Sequence, residues 1–388
     1  MKKNLVKTIR GLILLFAVTQ LTACGTIFEK DNTPPPTPLK SYTAEIHPRL
    51  LWSTYAGGGA GDDFLRLGPA LTSTHIATSD KYGVVTLVNK ETGHKDWKVA
   101  TNIAITTAPG AGEGLVVVGS RKGNVLALDE ATGRELWRTS VPNEILARPV
   151  IAQGKVIIKT VDGHLYALST TDGHTLWTFE QNEPALILRA ASEPQIRGNY
   201  MAVGFANGYV TKVGVARGNL QWQQGIAVPE GSFAIQRMID IDADPLVFDD
   251  RLYAATYQGK IAALDWQSGR TLWSNDISSY TGLTVDNHQV FITDAKSMVW
   301  SFDTSEGSSN WRQTELAARN ITGPAAMGNY LVVGDGLGYL HWLSQRDGHV
   351  AGRTKLGGGA AIMANPVVEN NTLYIVNKNG LLAAYRLG

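Results

Sequence analysis

Side chains that can act as nucleophiles, bases or metal ligands rarely stand here at spacings that would let them do so. The eight histidines (His47, His75, His94, His164, His174, His288, His341 and His349) fall nowhere at the intervals of a metal site. Asp240-x-Asp242-x-Asp244 has the alternating carboxylates of a calcium loop. However, Pro245 replaces the turn glycine and Arg251 stands where a bidentate Glu belongs. Gly154-Lys155 and Gly259-Lys260 are not followed by Ser or Thr, and no Gly-x-Ser-x-Gly elbow occurs. Gly57 to Gly61 and Gly357 to Gly359 lack dinucleotide spacing and a following helix. The expectation is a non-enzyme, with no metal and no cofactor.

One residue is placed for covalent chemistry. Cys24, the only cysteine, follows Leu21-Thr22-Ala23, and no intramolecular disulfide is available to it. Lys2, Lys3, Lys7 and Arg10 precede an apolar run, Gly11 to Val18, too short to span a bilayer, and no acidic residue precedes Glu29. This resembles the bacterial lipobox, in which the cysteine is acylated and becomes the mature N-terminus. Gly25 after it, rather than Asp, favours the outer membrane by analogy with lipoprotein sorting. Pro34, Pro35, Pro36 and Pro38 follow among polar neighbours, a composition that stays extended. The expected organisation is a signal peptide at 1–23, a lipidated cysteine and Pro-rich tether at 24–44, and a folded domain at 45–388.

The elements that position everything else come from a repeat. A composition with 44% hydrophobic residues, and 35 basic against 34 acidic, excludes a disordered chain and argues against nucleic acid as a partner. Losing the four basic residues of the signal leaves 31 basic and 34 acidic, a net charge of −3. Pro149, Gly163, Gly173 and Trp177 then mark a unit spaced 14, 10 and 4, and the same spacing fits Pro69–Trp97, Pro109–Trp137, Pro194–Trp222 and Pro245–Trp273. A sixth copy has Leu283 and Ser297 but keeps Gly307 and Trp311; a seventh keeps Pro324, Gly338 and Gly348 and has Gly352 where Trp is expected. The eighth has Pro366 and Gly380 only.

Short alternating runs between the landmarks, such as Asn124-Val125-Leu126-Ala127-Leu128, suit strands buried on both faces. The glycines belong at hairpins where φ is positive, and each Trp offers a flat surface to the next blade. Units of about 40 residues with four strands predict an all-β, eight-bladed β-propeller of four-stranded antiparallel blades. The eighth copy supplies three strands. Glu45 to Trp52, ending in a Trp at the outer-strand landmark, is expected to supply the fourth and close the ring. Ala127-Leu128-Asp129-Glu130-Ala131-Thr132-Gly133-Arg134-Glu135-Leu136-Trp137 resembles the docking motif of quinoprotein-type propellers, with one residue fewer before the Trp. The resemblance spans nearly the whole mature chain and bears on fold more than on function.

All length variation falls between one Trp landmark and the next Pro, with intervals of 17, 12, 12, 17, 23, 10, 13 and 14 residues. These connectors belong on one face, where loops on a rigid scaffold carry function. Two long ones flank the same blade. The first contains Leu186-Ile187-Leu188-Arg189 and the second Arg237-Met238-Ile239-Asp240-Ile241-Asp242-Ala243-Asp244. Leu186, Leu188, Ile239 and Ile241 either fold into the local core, with Arg189 pairing to Asp240, or form an apolar patch with a charged rim, the look of a protein–protein hot spot.

Signal, tether, propeller and these connector segments together resemble the BamB family, lipoprotein subunits of the outer-membrane β-barrel assembly machine. That resemblance implies a scaffold in which Leu186, Leu188, Arg189, Asp240 and Asp242 dock the periplasmic POTRA domains of BamA. It also implies that lipid on Cys24 holds the chain at the outer membrane, facing the periplasm. Unfolded outer-membrane proteins are a second candidate partner. The competing readings are a pyrroloquinoline-quinone-dependent dehydrogenase, which would call for an adjacent cysteine pair, and a carbohydrate-binding propeller, which would call for exposed aromatics.

Overall fold

A computed structural model describes residues 33–188 and 192–388. Thirty-two strands form eight four-stranded antiparallel sheets among these residues, with two short 3-10 turns at Ala234–Arg237 and Gly357–Gly359. No helix there is long and apolar enough to cross a membrane. Blades 1 to 7 are sequential meanders over residues 70–100, 110–140, 150–180, 195–225, 246–277, 283–313 and 325–355. Blade 8 joins the strand Pro48–Tyr55 to Val367–Glu369, Thr372–Val376 and Leu381–Leu387. Pro48 pairs with Leu387 and Tyr55 with Leu381, so the closing strand lies three residues later than the sequence suggested. Its predicted start, Glu45 to His47, lies outside the strand.

Burial follows strand order. The second and third strands of each blade are buried on both faces, as in Leu115–Gly119 and Asn124–Asp129, while outer strands such as Glu135–Ser140 alternate. That is what stacked sheets require of their middle strands.

Seven of the eight blades are each locked to the next by one tryptophan. Trp52, Trp97, Trp137, Trp177, Trp222, Trp273 and Trp311 donate their indole N–H to a backbone carbonyl of the following blade at 2.8–3.1 Å. Each ring also lies over that blade's second landmark glycine. A Cβ on Gly173 would sit 2.6 Å from Trp137, and φ there is +74°. The glycine is therefore required twice, by backbone handedness and by contact. Gly259 is the exception among the first landmark glycines: the left-handed residue of its turn is Gln258, with φ 50°. Ser297, the other substituted landmark, takes φ 66°.

Blade 7 lacks its Trp, and the space is refilled from two sides. Trp342, paired directly with Gly352, is fully buried and meets Tyr385 edge-on at 6.3 Å. Ile46 takes the other side, 2.8 Å from where a Gly352 Cβ would be.

Candidate functional site

Every connector enters its blade on the face that also carries the turn between the second and third strands. Backbone bonds tie the two together: Lys81 to Gly59, Val161 to Glu144, Tyr257 to Asp240, Gly336 to Arg319 and Lys378 to Ala361. The face is therefore one continuous loop surface. A cavity of about 420 Å³ opens at its centre, walled by connector residues including Phe64, Arg66, Leu146, Arg148, Leu188 and Tyr280. A second cavity of about 350 Å³ shares Phe64, Arg66 and Tyr280 with it.

The two long connectors around blade 4 are clamped to each other. Asp240 Oδ1 accepts the Leu188 N–H at 2.5 Å, and Asp244 Oδ1 accepts the Glu193 N–H at 2.7 Å. Glu183 grips the neighbouring turn through the N–H groups of Ala206 and Asn207. Arg66 arrives from the connector into blade 1, bonding Asp242 Oδ2 at 3.0 Å and the Tyr280 carbonyl at 2.6 Å, and so joins three connectors. Arg148 lies against Glu193 at 3.3 Å. Beneath them Lys159 is buried, its Nζ donating to Gly204 O at 2.6 Å and Ser192 Oγ at 3.1 Å.

Burial sets the electrostatics. It pushes the Asp240 carboxyl up to about 6, against the Leu188 N–H that favours the anion. It pushes Asp244 up to about 7, with the Glu193 charge adding and Arg66 and Arg148 opposing. Glu183 also rises to about 7, mainly by burial. Burial pushes the Lys159 ammonium down, against the pull of Glu183 and the three aspartates.

The predicted residues separate by role. Leu186 is 46% exposed and Leu188 half-buried at the rim of the central cavity. Ile239 and Ile241 are core, as one of the two sequence readings had it. Asp240 and Asp242 are buried beneath the surface, where they order the connectors and form no exposed rim. Asp240 holds a backbone N–H of Leu188, and Asp242 holds Arg66. Arg189 and Cys24 lie outside the described residues.

Sequence reading missed part of the surface. In the longest connector Val228, Phe233 and Ile235 are 77%, 68% and 65% exposed, around the 3-10 turn Ala234–Arg237. The turn is held by Gln236, whose Oε1 accepts the N–H groups of Ser232 and Phe233, and by Gln258, which donates to the Ile235 carbonyl. The available signal was the connector's length of 23 residues together with its apolar content. Among the described residues no group of three His, Cys, Asp or Glu is arranged to hold a metal ion. Asp240, Asp242, Asp244, Glu183 and Arg66 are engaged in holding loops, an arrangement suited to presenting a surface.

A family model described as "Outer membrane protein assembly factor BamB" matches residues 81–313. The protein of that name from Legionella pneumophila is 44% identical over 354 residues, covering 91% of this chain and 92% of its own. The Pseudomonas aeruginosa one is 44% identical over 96% of this chain and 98% of its own, and that of Escherichia coli 33% over the same shares. The crystal structure of BamB from Moraxella catarrhalis superimposes with a TM-score of 0.80 at 27% identity, over 88% of this chain and all of that one. A quinohemoprotein alcohol dehydrogenase from Comamonas testosteroni reaches 0.70 at 13% identity, over 87% of this chain and 76% of that one, a likeness of fold alone.

Proposed function

The chain belongs to the outer membrane protein assembly factor BamB family, and on that premise we propose that its connector face docks the periplasmic POTRA domains of BamA. Its place is among assembly factors, not enzymes. The observation that carries the reading is the carboxylate clamp. By gripping the backbone at Leu188 and Glu193, Asp240 and Asp244 pin the connector into blade 4 at those two points before any partner arrives. A surface ordered in advance loses less entropy on binding.

Leu186 and Leu188 supply apolar anchors, and Arg189 follows them at the edge of the same segment. Asp240 and Asp242 act from below as positioning residues. Val228, Phe233 and Ile235 extend the apolar surface along the neighbouring connector. Acylated Cys24 holds the protein at the outer membrane, facing the periplasm. Lipid and protein contact then act as two linked anchors, so a modest interface gives durable association. Such a scaffold would orient POTRA domains for incoming barrel strands.

Co-purification of BamA with the full-length protein from detergent-solubilised envelopes tests this. A Leu186→Asp or Leu188→Asp change should reduce recovered BamA about 30-fold, as expected for loss of an anchor of about 2 kcal/mol. The circular dichroism spectrum should stay unchanged. Undiminished recovery would remove the leucines from the interface.

A further inference from the structure

Residues between the Pro-rich stretch and the closing strand are docked along the outer edge of blade 7. Thr37 starts on the connector face, where its N–H and Oγ1 both donate to the Ala317 carbonyl, at 3.1 and 2.7 Å. Arg319 returns a bond to the Thr37 carbonyl at 2.8 Å. This arginine is itself buried and fixed by Asp335 Oδ2 at 2.6 Å, so the staple is rooted in the blade. Lys40 pairs with Glu315 at 3.1 Å, and Leu39 packs on the core between blades 6 and 7. Arg353 donates to the Lys40 carbonyl and lies 4.7 Å from the Tyr42 ring centre. At the far face the Glu45 and Ile46 N–H groups both reach the Ala351 carbonyl, Glu45 pairs with His349 at 2.9 Å, and Ile46 fills the gap left at Gly352.

The segment thus crosses the disc from its connector face to the opposite face before turning back as Pro48–Tyr55. We infer that residues 37–46 are a strap that shortens the membrane leash and makes the connector face the anchored side of the disc. This rests on the reading of Cys24 as the lipid anchor and is independent of which partner docks. With the strap seated, the 12 residues 25–36 remain as leash, reaching on the order of 40 Å when extended. With it detached, the 22 residues 25–46 would reach on the order of 75 Å and leave from the opposite face. The strap also replaces the absent tryptophan of blade 7, so anchoring and ring closure share one segment.

Energy transfer from a single label to acceptor lipids in vesicles tests this on the full-length lipidated protein, whose only cysteine is consumed by the lipid. Leu337→Cys places the label on the connector face of blade 7 and Arg346→Cys on its opposite face. Leu337→Cys should show clearly the higher transfer. Combining Lys40→Ala with Tyr42→Ala, whose side chains meet the blade only through the strap's own contacts, should lower transfer at Leu337→Cys and reduce or reverse the difference. Equal transfer with the strap intact, or a difference indifferent to the strap substitutions, would overturn the inference. Protein that fails to sediment with the vesicles would instead refute the anchor, and the inference with it.

Discussion

Asp240 is a buried carboxyl and Asp244 and Glu183 are half-buried ones; backbone N–H groups hold their anions, and desolvation outweighs those bonds. Their folded values, about 6 and about 7, stand above the ordinary carboxylate range. A raised value means the clamped arrangement binds protons more tightly than the released one. Its advantage is complete below about pH 4 and is lost as pH rises through 6 to 7. Amide hydrogen exchange, corrected for intrinsic rate, should therefore show Leu188 and Glu193 better protected at pH 6 than at pH 8. Asp244→Asn should flatten that difference at Glu193, and equal protection at both pH values in the parent would contradict the assignment. At this scale the sequence was only partly legible. It located both connectors around one blade, but an extended loop gives no rule for which side chains turn inward. Asp240 and Asp242 alternate with Ile239 and Ile241, yet all four are buried, because the neighbouring connectors cover both sides.

At the level of strands and blades, the landmark spacing carried most of the fold. The Trp and the second Gly of adjacent repeats proved to be partners across blades, each glycine leaving room for the preceding blade's indole. Trp137→Ala should cost about 3–5 kcal/mol, by lost burial and an interblade cavity. Gly173→Ala should also lower the melting temperature, since it forces a left-handed backbone and a 2.6 Å contact onto the same ring. A scan showing either variant as stable as the parent would argue against the lock. What the repeat could not convey were the compensations where it fails. Trp342 stands across from Gly352 on the neighbouring strand, and Ile46 comes from the run Glu45 to Trp52, which the sequence reading assigned to the closing strand. The first is one hairpin away and the second distant in sequence, and neither position is one of the landmarks that define the repeat.

For the molecule as a whole, a closed ring with two buried middle strands per blade is a stiff platform, and its connector face is where length and exposed apolar surface vary. The proposed anchoring through Cys24 predicts that Cys24→Ser should release the protein from the outer-membrane fraction, and unchanged fractionation would contradict lipidation. The central claim is that BamA meets the connector face around Leu186 and no other part of the disc. Photo-crosslinking in intact cells reads this directly, with the crosslinker placed at Leu186 or Phe233 on the connector face and at Thr92 or Glu306 on the opposite face. Adducts with BamA should form from Leu186 and Phe233 and be absent from Thr92 and Glu306. Adducts from the opposite face alone, or from all four positions alike, would contradict the account.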